Sequence, residues 1–536
     1  MNIIKQVFTK LYLLRTSYQG ERLGVMFFLF LVLLPSILFA NIVPSTLFND
    51  HMVLQRNVEI PVWGTAWPKE GVTVTINNQT VNTKADDSGN WMVRLPNQKA
   101  GGPYVLEIAG DNIIEIKDVY IGDVWLCSGQ SNMDMTVAKE DRYWCGVNNE
   151  AEEVANANYS MIRNFDVDFT PSNELKVNPV GKWEICTPQT VGHWSAVAYF
   201  FAREIYQKQH IPIGFLTSAY GASTAETWIS KEALESHPNL KPLLNTYAAK
   251  WEKFTADSVT TMTEYREKQK EFQDDKAAAG DVTAKKTRAP RNPDPQLDQH
   301  NPYVCYNGMI VPLIPFAIKG ALWYQGESNG PSANQYREIM ETLVADWRTR
   351  WGLEDFPFFY VQLANYGKEM TKPVQDDKMM IIREAQVQNL SIPNTGMAVA
   401  IENAGDQPTN IHPKNKQEIG RRLGLIARAK VYGEKVEYSG PMYKNYKVKG
   451  NSVQLFFDHV GKGLVAKDGK LTGFAICGED KKWVWADAKI KGKTVIVSST
   501  EISKPVAVRY CWGTNPPASL SNKNGLWTPN FRTDNF

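Results

Sequence analysis

The spacing of hydrophobic positions changes along this chain, and each change marks a different layer of structure. From Asn41 to about Asp118 apolar and polar residues alternate with a period of two. Val58-Glu59-Ile60-Pro61-Val62-Trp63-Gly64 and Val72-Thr73-Val74-Thr75-Ile76 are such stretches. Asn77-Asn78 and Asp86-Asp87-Ser88-Gly89-Asn90 supply turns before Trp91-Met92-Val93-Arg94-Leu95. Period two puts successive side chains on opposite faces of a half-buried sheet, and short strands at regular spacing predict a β-sandwich.

From Val119 to about Ile229 strand-like and helix-like patterns alternate. Val119 to Leu126 is an apolar run of strand length. Ser195 to Gln207 carries Val197, Phe200, Phe201 and Ile205 at helical spacing. Ile213 to Leu216 reads as a short buried strand, followed by the small-residue turn Thr217-Ser218-Ala219-Tyr220-Gly221-Ala222-Ser223. The alternation stops at Ser230. Leu240 to Lys276 is polar and helix-prone, and Ala277 to Gln299 has no period, which predicts a helical hairpin or long helix and then an irregular loop. It resumes at about Tyr303, with a strand at Ile318 to Tyr324, an amphipathic helix at Tyr336 to Trp351, and strands at Phe358 to Leu363 and Met397 to Ile401. Ile411-His412-Pro413 is expected to open a further helix, striped with Ile419, Leu423 and Ile426, Pro413 suiting the first helical position. Strand and helix repeated in this way give a largely parallel sheet covered on both faces.

Short strands separated by Gly and Asp turns return from about Tyr432 to Phe536. The expected fold class is therefore α/β: a three-layer α/β/α domain at 119–431, with a helical insertion at about 230–301. An N-terminal β-sandwich at 41–118 and a C-terminal one at 432–536 flank it. The run from Leu23 to Ala40 is almost wholly apolar, follows Lys5, Lys10, Arg15 and Arg22, and ends at Ala40-Asn41. Residues 1–40 read as a secretory signal peptide, with a membrane anchor as the alternative because the run is about long enough to span a bilayer. Pro35 and the polar start that follows favour cleavage. The mature chain is then exported, to the periplasm or beyond, with no stable membrane insertion.

Composition narrows the picture further. The net charge of +2 gives no electrostatic reason to expect nucleic acid or an anionic membrane surface as partner. The 16 Trp and 22 Tyr suit sugar rings as well as cores. The six cysteines (Cys127, Cys145, Cys186, Cys305, Cys477, Cys511) are compatible with disulfides in an exported chain, although Cys127, at the end of the apolar run from Val119, reads as a buried small apolar residue. No Cys-x-x-Cys or His-x-x-x-His spacing points to structural zinc.

The candidate chemistry centres on Asp123 to Met133. The apolar run breaks at Ser128-Gly129 and delivers Ser131 just past the strand's carboxyl end, where open α/β sheets keep their sites. A serine nucleophile needs a base, and His412, after a strand and at the expected start of a helix, is the strongest of the seven histidines. A helix N-terminus would keep its ring neutral. The turn at Gly221 leaves backbone N–H groups to face an anion.

These strings resemble the sialate O-acetylesterases, a branch of the SGNH-type serine hydrolases. The resemblance rests on Gly129-Gln130-Ser131-Asn132-Met133, on Asp50-His51-Met52-Val53-Leu54-Gln55-Arg56, on Phe200 to Arg203, on Trp323-Tyr324-Gln325-Gly326-Glu327-Ser328-Asn329 and on Ile411-His412-Pro413-Lys414-Asn415-Lys416. It implies Ser131 as nucleophile, His412 as base, and an oxyanion hole of the Ser131 N–H, the Gly221 N–H and the Gln325 side-chain amide, with Asn329 as second choice. The family usually has Gly-Gly-Thr where this chain has Gly221-Ala222-Ser223. It often has Asp two residues before the histidine, where this chain has Asn410. Asn410 carries no charge, so a backbone carbonyl, Asp406 or Glu402 are the other candidates for orienting His412. The implied function is removal of O-acetyl groups from carbohydrate, 9-O-acetylated sialic acid first, through an acetyl-enzyme and without metal or organic cofactor. Acetylated xylan or another polysaccharide is the alternative substrate. A catalytically impaired carbohydrate-binding protein is the alternative of another class, and Asn410 is the feature that speaks for it. A nearby Arg (Arg142, Arg163 or Arg383) would favour the sialic acid carboxylate.

Overall fold

The structure is a computed structural model that describes residues 42–279, 289–374, 377–401 and 410–536. The expected signal peptide at 1–40 lies outside the described residues. Among the described residues no helix is long and apolar enough to cross a membrane. The fold is the expected three-layer α/β/α core with β-sandwiches at either end of the chain.

The core is built on one strand, β1 (Ile113–Gly129). Its first half alternates between exposed and buried positions, and from Ile121 onward every residue is buried. The change follows its partners. Ile113 to Ile121 pairs antiparallel with Gly101–Ala109 of the N-terminal sheet, and Tyr120 to Gly122 pairs with Val53–Gln55. Asp123 to Gly129 then runs parallel between two inner strands, buried on both faces, as parallel sheets are. The expected strand, Val119 to Leu126, is thus the mostly apolar part of a strand twice that long. The antiparallel half, Ile113 to Asp118, carries Glu115, Lys117 and Asp118, whose charges hide the continuation from a reading of the sequence.

The central sheet adds β2 (Tyr159–Val167), β3 (Gly181–Cys186), β4 (Ile213–Ala219), β5 (Gly320–Tyr324), β6 (Phe358–Gln362) and β7 (Thr395–Val399). Their order is β3-β2-β4-β1-β5-β6-β7, parallel except for the edge pair β3 and β2. Register matters more than order here. Gly129 lies opposite Ala219 on one side and Tyr324 on the other, so three strands end at one level. The stretches after those ends carry Ser131, Gly221 and Gln325.

Helices α1 (Ser131–Asp134), α2 (Ala196–Gln209), α3 (Tyr336–Trp351), α4 (Lys378–Gln388) and α5 (Lys416–Lys430) belong to this core. α2 and α5 pack closely against each other. A Cβ at Gly420 would meet the backbone of Phe200 and Phe201, so the approach requires that glycine. The insertion forms helices Lys241–Ala256 and Ser258–Ala279, as the polar helix-prone stretch predicts.

Two buried polar knots tie the flanking strands to the core. Asp123, fully buried on β1, accepts two hydrogen bonds of 2.9 Å from Arg56 and one of 2.9 Å from Tyr432. This gives the Asp50-to-Arg56 string a structural purpose. Arg383, also fully buried, donates to the carbonyls of Leu363, Ala364, Gly513 and Thr514, joining α4 to the C-terminal strands. All six cysteines are free and buried, so the compatible disulfides do not form, and Cys127 is the small buried residue expected.

Candidate active site

Gln130 and Ser131 follow β1 through a turn that needs glycine. Gly129 has φ of 143°, and a Cβ there would meet the carbonyl of Tyr324. The Gln130 N–H donates to that same carbonyl at 3.0 Å. The Gln130 side-chain oxygen accepts from the N–H groups of Gly326 and Ser328, at 3.3 and 3.2 Å. The turn that carries Ser131 and the loop after β5 are therefore one hydrogen-bonded unit. Ser131 opens α1 and remains slightly accessible, at 7%.

The Ser131 Oγ and His412 Nε2 lie 2.8 Å apart. That is hydrogen-bond reach for a nucleophile and its base. The structure corrects the reason for the neutrality of His412. Helix α5 begins only at Lys416, with Asn415 as its cap accepting from the Glu418 N–H. His412 and Pro413 therefore sit in the turn before it and not in its first turn. Burial instead lowers the His412 pKa to about 4, with the nearby charge of Lys416 adding to the effect.

Asn410 does not orient the ring. Its side-chain oxygen accepts from the His412 backbone N–H at 2.9 Å. His412 Nδ1 is buried and has no partner among the described residues. Asp406 and Glu402 lie outside the described residues. The ring does have a stacking partner. Trp144 lies nearly parallel to it, with centroids 5.0 Å apart and an interplanar angle of 21°. The Arg142 guanidinium lies 4.7 Å from the Trp144 ring centroid.

The Gln325 side-chain amide is engaged elsewhere. Its side-chain nitrogen donates to the Ser223 carbonyl at 3.1 Å and to Asn329 Oδ1 at 2.6 Å, and the residue is fully buried. Both N–H bonds are spent on holding the loop after β4 to the loop after β5. Asn329 is spent likewise, on Ala225, Glu226 and Ser332. Gly221 does lie beside Ser131, since a Cβ built on it would fall 3.8 Å from the serine Cβ. Burial raises the pKa of the nearby Asp134 carboxyl against the pull of Arg142. Ala222 beside it has φ of 59°, a left-handed conformation that suits the family's glycine better than alanine.

Behind the pair lies a buried network that the sequence motifs contain but do not explain. Asn132 Nδ2 donates to Glu327 at 2.6 Å and to the Ile411 carbonyl at 3.1 Å. Its Oδ1 accepts from Lys416 Nζ at 2.6 Å. Burial lowers the Lys416 pKa to about 7, opposed by Glu327, whose own carboxyl burial raises. Of the three arginines that could greet a carboxylate, Arg163 is buried against Asp118 and Arg383 is buried among carbonyls. Arg142 alone of the three stands at the site, paired with Asp134 at 2.7 Å and with Glu140 at 2.8 Å. Among the described residues no group of three or more His, Cys, Asp or Glu is arranged to hold a metal ion.

Comparison with known proteins agrees with the geometry. Residues 305–428 match the family model described as a carbohydrate esterase, sialic acid-specific acetylesterase. The chain is 31% identical over 520 residues to the sialate O-acetylesterase of Mus musculus, covering 88% of this chain and 90% of that protein. It is 30% identical over 517 residues to that of Homo sapiens, covering 88% of each. Among solved structures it is similar to a carbohydrate acetylesterase from Xanthomonas citri, with 34% identity and a TM-score of 0.76 over 92% of this chain and 100% of that one. The chain belongs to the sialate O-acetylesterase family of carboxylic ester hydrolases.

Proposed function

We propose that this protein removes O-acetyl groups from sialic acid, the 9-O-acetylated form first, through an acetyl-enzyme on Ser131. The observation that carries the reading is the 2.8 Å contact between Ser131 Oγ and a His412 ring kept neutral by burial. Ser131 Oγ attacks the acetyl carbonyl carbon while His412 Nε2 takes its proton. Negative charge develops on the carbonyl oxygen beside the N–H groups of Ser131 and Gly221, which are the proposed oxyanion donors. The bond to the sugar oxygen breaks, and His412 returns the proton to that oxygen. Water then attacks the acetyl-enzyme with His412 as base, the bond to Ser131 Oγ breaks, His412 returns the proton to that oxygen, and acetate leaves.

The sialic acid preference rests on the names of the similar proteins and on Arg142, the one of the three candidate arginines that stands beside the site. A neutral acetylated sugar, such as that of xylan, is the second reading. One observation favours it: Arg142 already faces two carboxylates, Asp134 and Glu140, so its charge is matched. The apolar run from Leu23 to Ala40 supports export, and we place the reaction in the periplasm or outside the cell.

The test is acetate release from 9-O-acetylated sialic acid and from acetylated xylan, by the unaltered protein and by Ser131→Ala. Release that depends on Ser131, faster from the sialic acid ester, is the expected result. Faster release from xylan would replace the substrate. Equal release by Ser131→Ala would remove the serine from the mechanism.

A further inference from the structure

Serine hydrolases usually hold the base through its second ring nitrogen, with a carboxylate that fixes both tautomer and direction. In this chain that nitrogen, His412 Nδ1, has no partner among the described residues, and Asn410 is engaged by the backbone instead. The position of the ring matters, because a 1 Å displacement of a reacting group costs about 10²-fold in rate.

We propose that Trp144 is the positioning residue of the base: its indole face holds the His412 ring with Nε2 directed at Ser131. The proposal rests on the reading of Ser131 and His412 as nucleophile and base. Its support is a layered arrangement that starts and ends on the nucleophile helix. The His412 ring lies on Trp144, with 5.0 Å between centroids. Arg142 lies over the Trp144 ring at 4.7 Å and is held in turn by Asp134, three residues after Ser131. The loop that carries Trp144 is anchored independently. Cys145 N–H donates to the Arg142 carbonyl, Val147 N–H to Val137 and Asn148 N–H to the carbonyl of Lys414, two residues beyond His412. A half-buried indole on an anchored loop loses little entropy when it stacks, and its electron-rich face also favours the imidazolium that forms during acyl transfer.

Two variants test this, with kcat, KM and the pH profile of kcat/KM as readouts on a neutral acetyl ester. Trp144→Ala is expected to lower kcat by ~10- to 100-fold while KM moves less than about threefold. Trp144→Phe, which keeps a flat face, is expected to recover most of that loss. The acidic limb of the profile should rise in Trp144→Ala as water reaches the ring. The charged groups that bear on that limb are Lys416 on α5, Glu327 bonded to Asn132, and the Asp134–Arg142 pair beside the indole. Ser131→Ala is run in parallel, so that a failure of the serine mechanism is seen separately.

Three results would overturn the proposal. One is a rise in KM with kcat and the acidic limb unchanged, which would make Trp144 a platform for the sugar. Another is a Phe variant as impaired as the Ala variant at equal thermal stability. The third is a loss of about 10³-fold or more in Asp406→Asn or Glu402→Gln with both Trp144 variants unimpaired, which would give the ring to a carboxylate.

Discussion

Lys416 Nζ, four residues past His412, donates a 2.6 Å hydrogen bond to Asn132 Oδ1, one residue past Ser131. The same Asn132 amide reaches Glu327 and the carbonyl of Ile411. Three motifs far apart in the chain therefore meet on one side chain. Asn132→Ala leaves a buried ammonium and a buried carboxyl without their partner, and is expected to cost about 2–3 kcal/mol. Urea denaturation checks this, and a midpoint within error of the unaltered protein would show the hub to be dispensable. The kcat should fall as well, because the Ile411 carbonyl helps set the position of His412.

The depressed basicity of His412 has a defined sign. The unfolded ring takes its proton near 6.5 and the folded one near 4, so the unfolded chain binds more protons between those values. The stability from this group is complete above pH 6.5 and is lost as pH falls towards 4. His412→Ala should flatten that part of the stability profile, measured by denaturation at intervals across it. The unaltered enzyme should keep its kcat/KM well below pH 6.5, with the acidic limb near pH 4 to 5. A limb at 6.5 would mean a solvated ring.

Gln325 makes a different prediction from the one its motif suggests. Its amide is committed to Ser223 and Asn329. Gln325→Leu is expected to destabilise the fold by about 1–3 kcal/mol. Its kcat should fall by less than the roughly 10²- to 10³-fold that follows loss of an oxyanion donor. Thermal melting and kcat on the same preparation separate the two roles.

Ala222 occupies a left-handed conformation at φ of 59°. Ala222→Gly removes a steric cost of about 1–2 kcal/mol and adds some freedom to the unfolded chain. The expected net gain is up to about 1 kcal/mol, read as a raised melting temperature.

Much of this is legible in the chain. The turn at Ser131 is announced by a mostly apolar strand that ends in glycine, and the helix Tyr336–Trp351 has its expected ends because a clean stripe of Ile339, Leu343 and Trp347 defines it. Strand β2 is not legible. Arg163 and Asn164 interrupt its apolar run, yet both are buried, with one hydrogen bond each, to Asp118 and Thr217. Strand β7 begins at Thr395, two residues before its first large apolar side chain, because pairing with Phe358 and not hydrophobicity sets its start. The sequence places the start of α5 too early because Pro413 fits a first helical turn as well as the turn it occupies. Trp144 cannot be found from sequence at all. Nothing in the local pattern of a loop tryptophan says which ring it will meet, and its partner belongs to a motif in the last third of the chain.

The continuity of Ile113–Gly129 constrains how this protein can be taken apart. A cut at the apparent module border near Asp118 would leave the catalytic fragment with a shortened nucleophile strand, and would remove Arg56 from the buried Asp123 carboxylate. The N-terminal sheet is thus no detachable accessory. A fragment trimmed to the hydrolase core should come out insoluble, and a graft onto another enzyme would have to carry the whole strand with it. Swapping or shuffling here has to respect a seam that runs through the middle of a strand rather than through a linker.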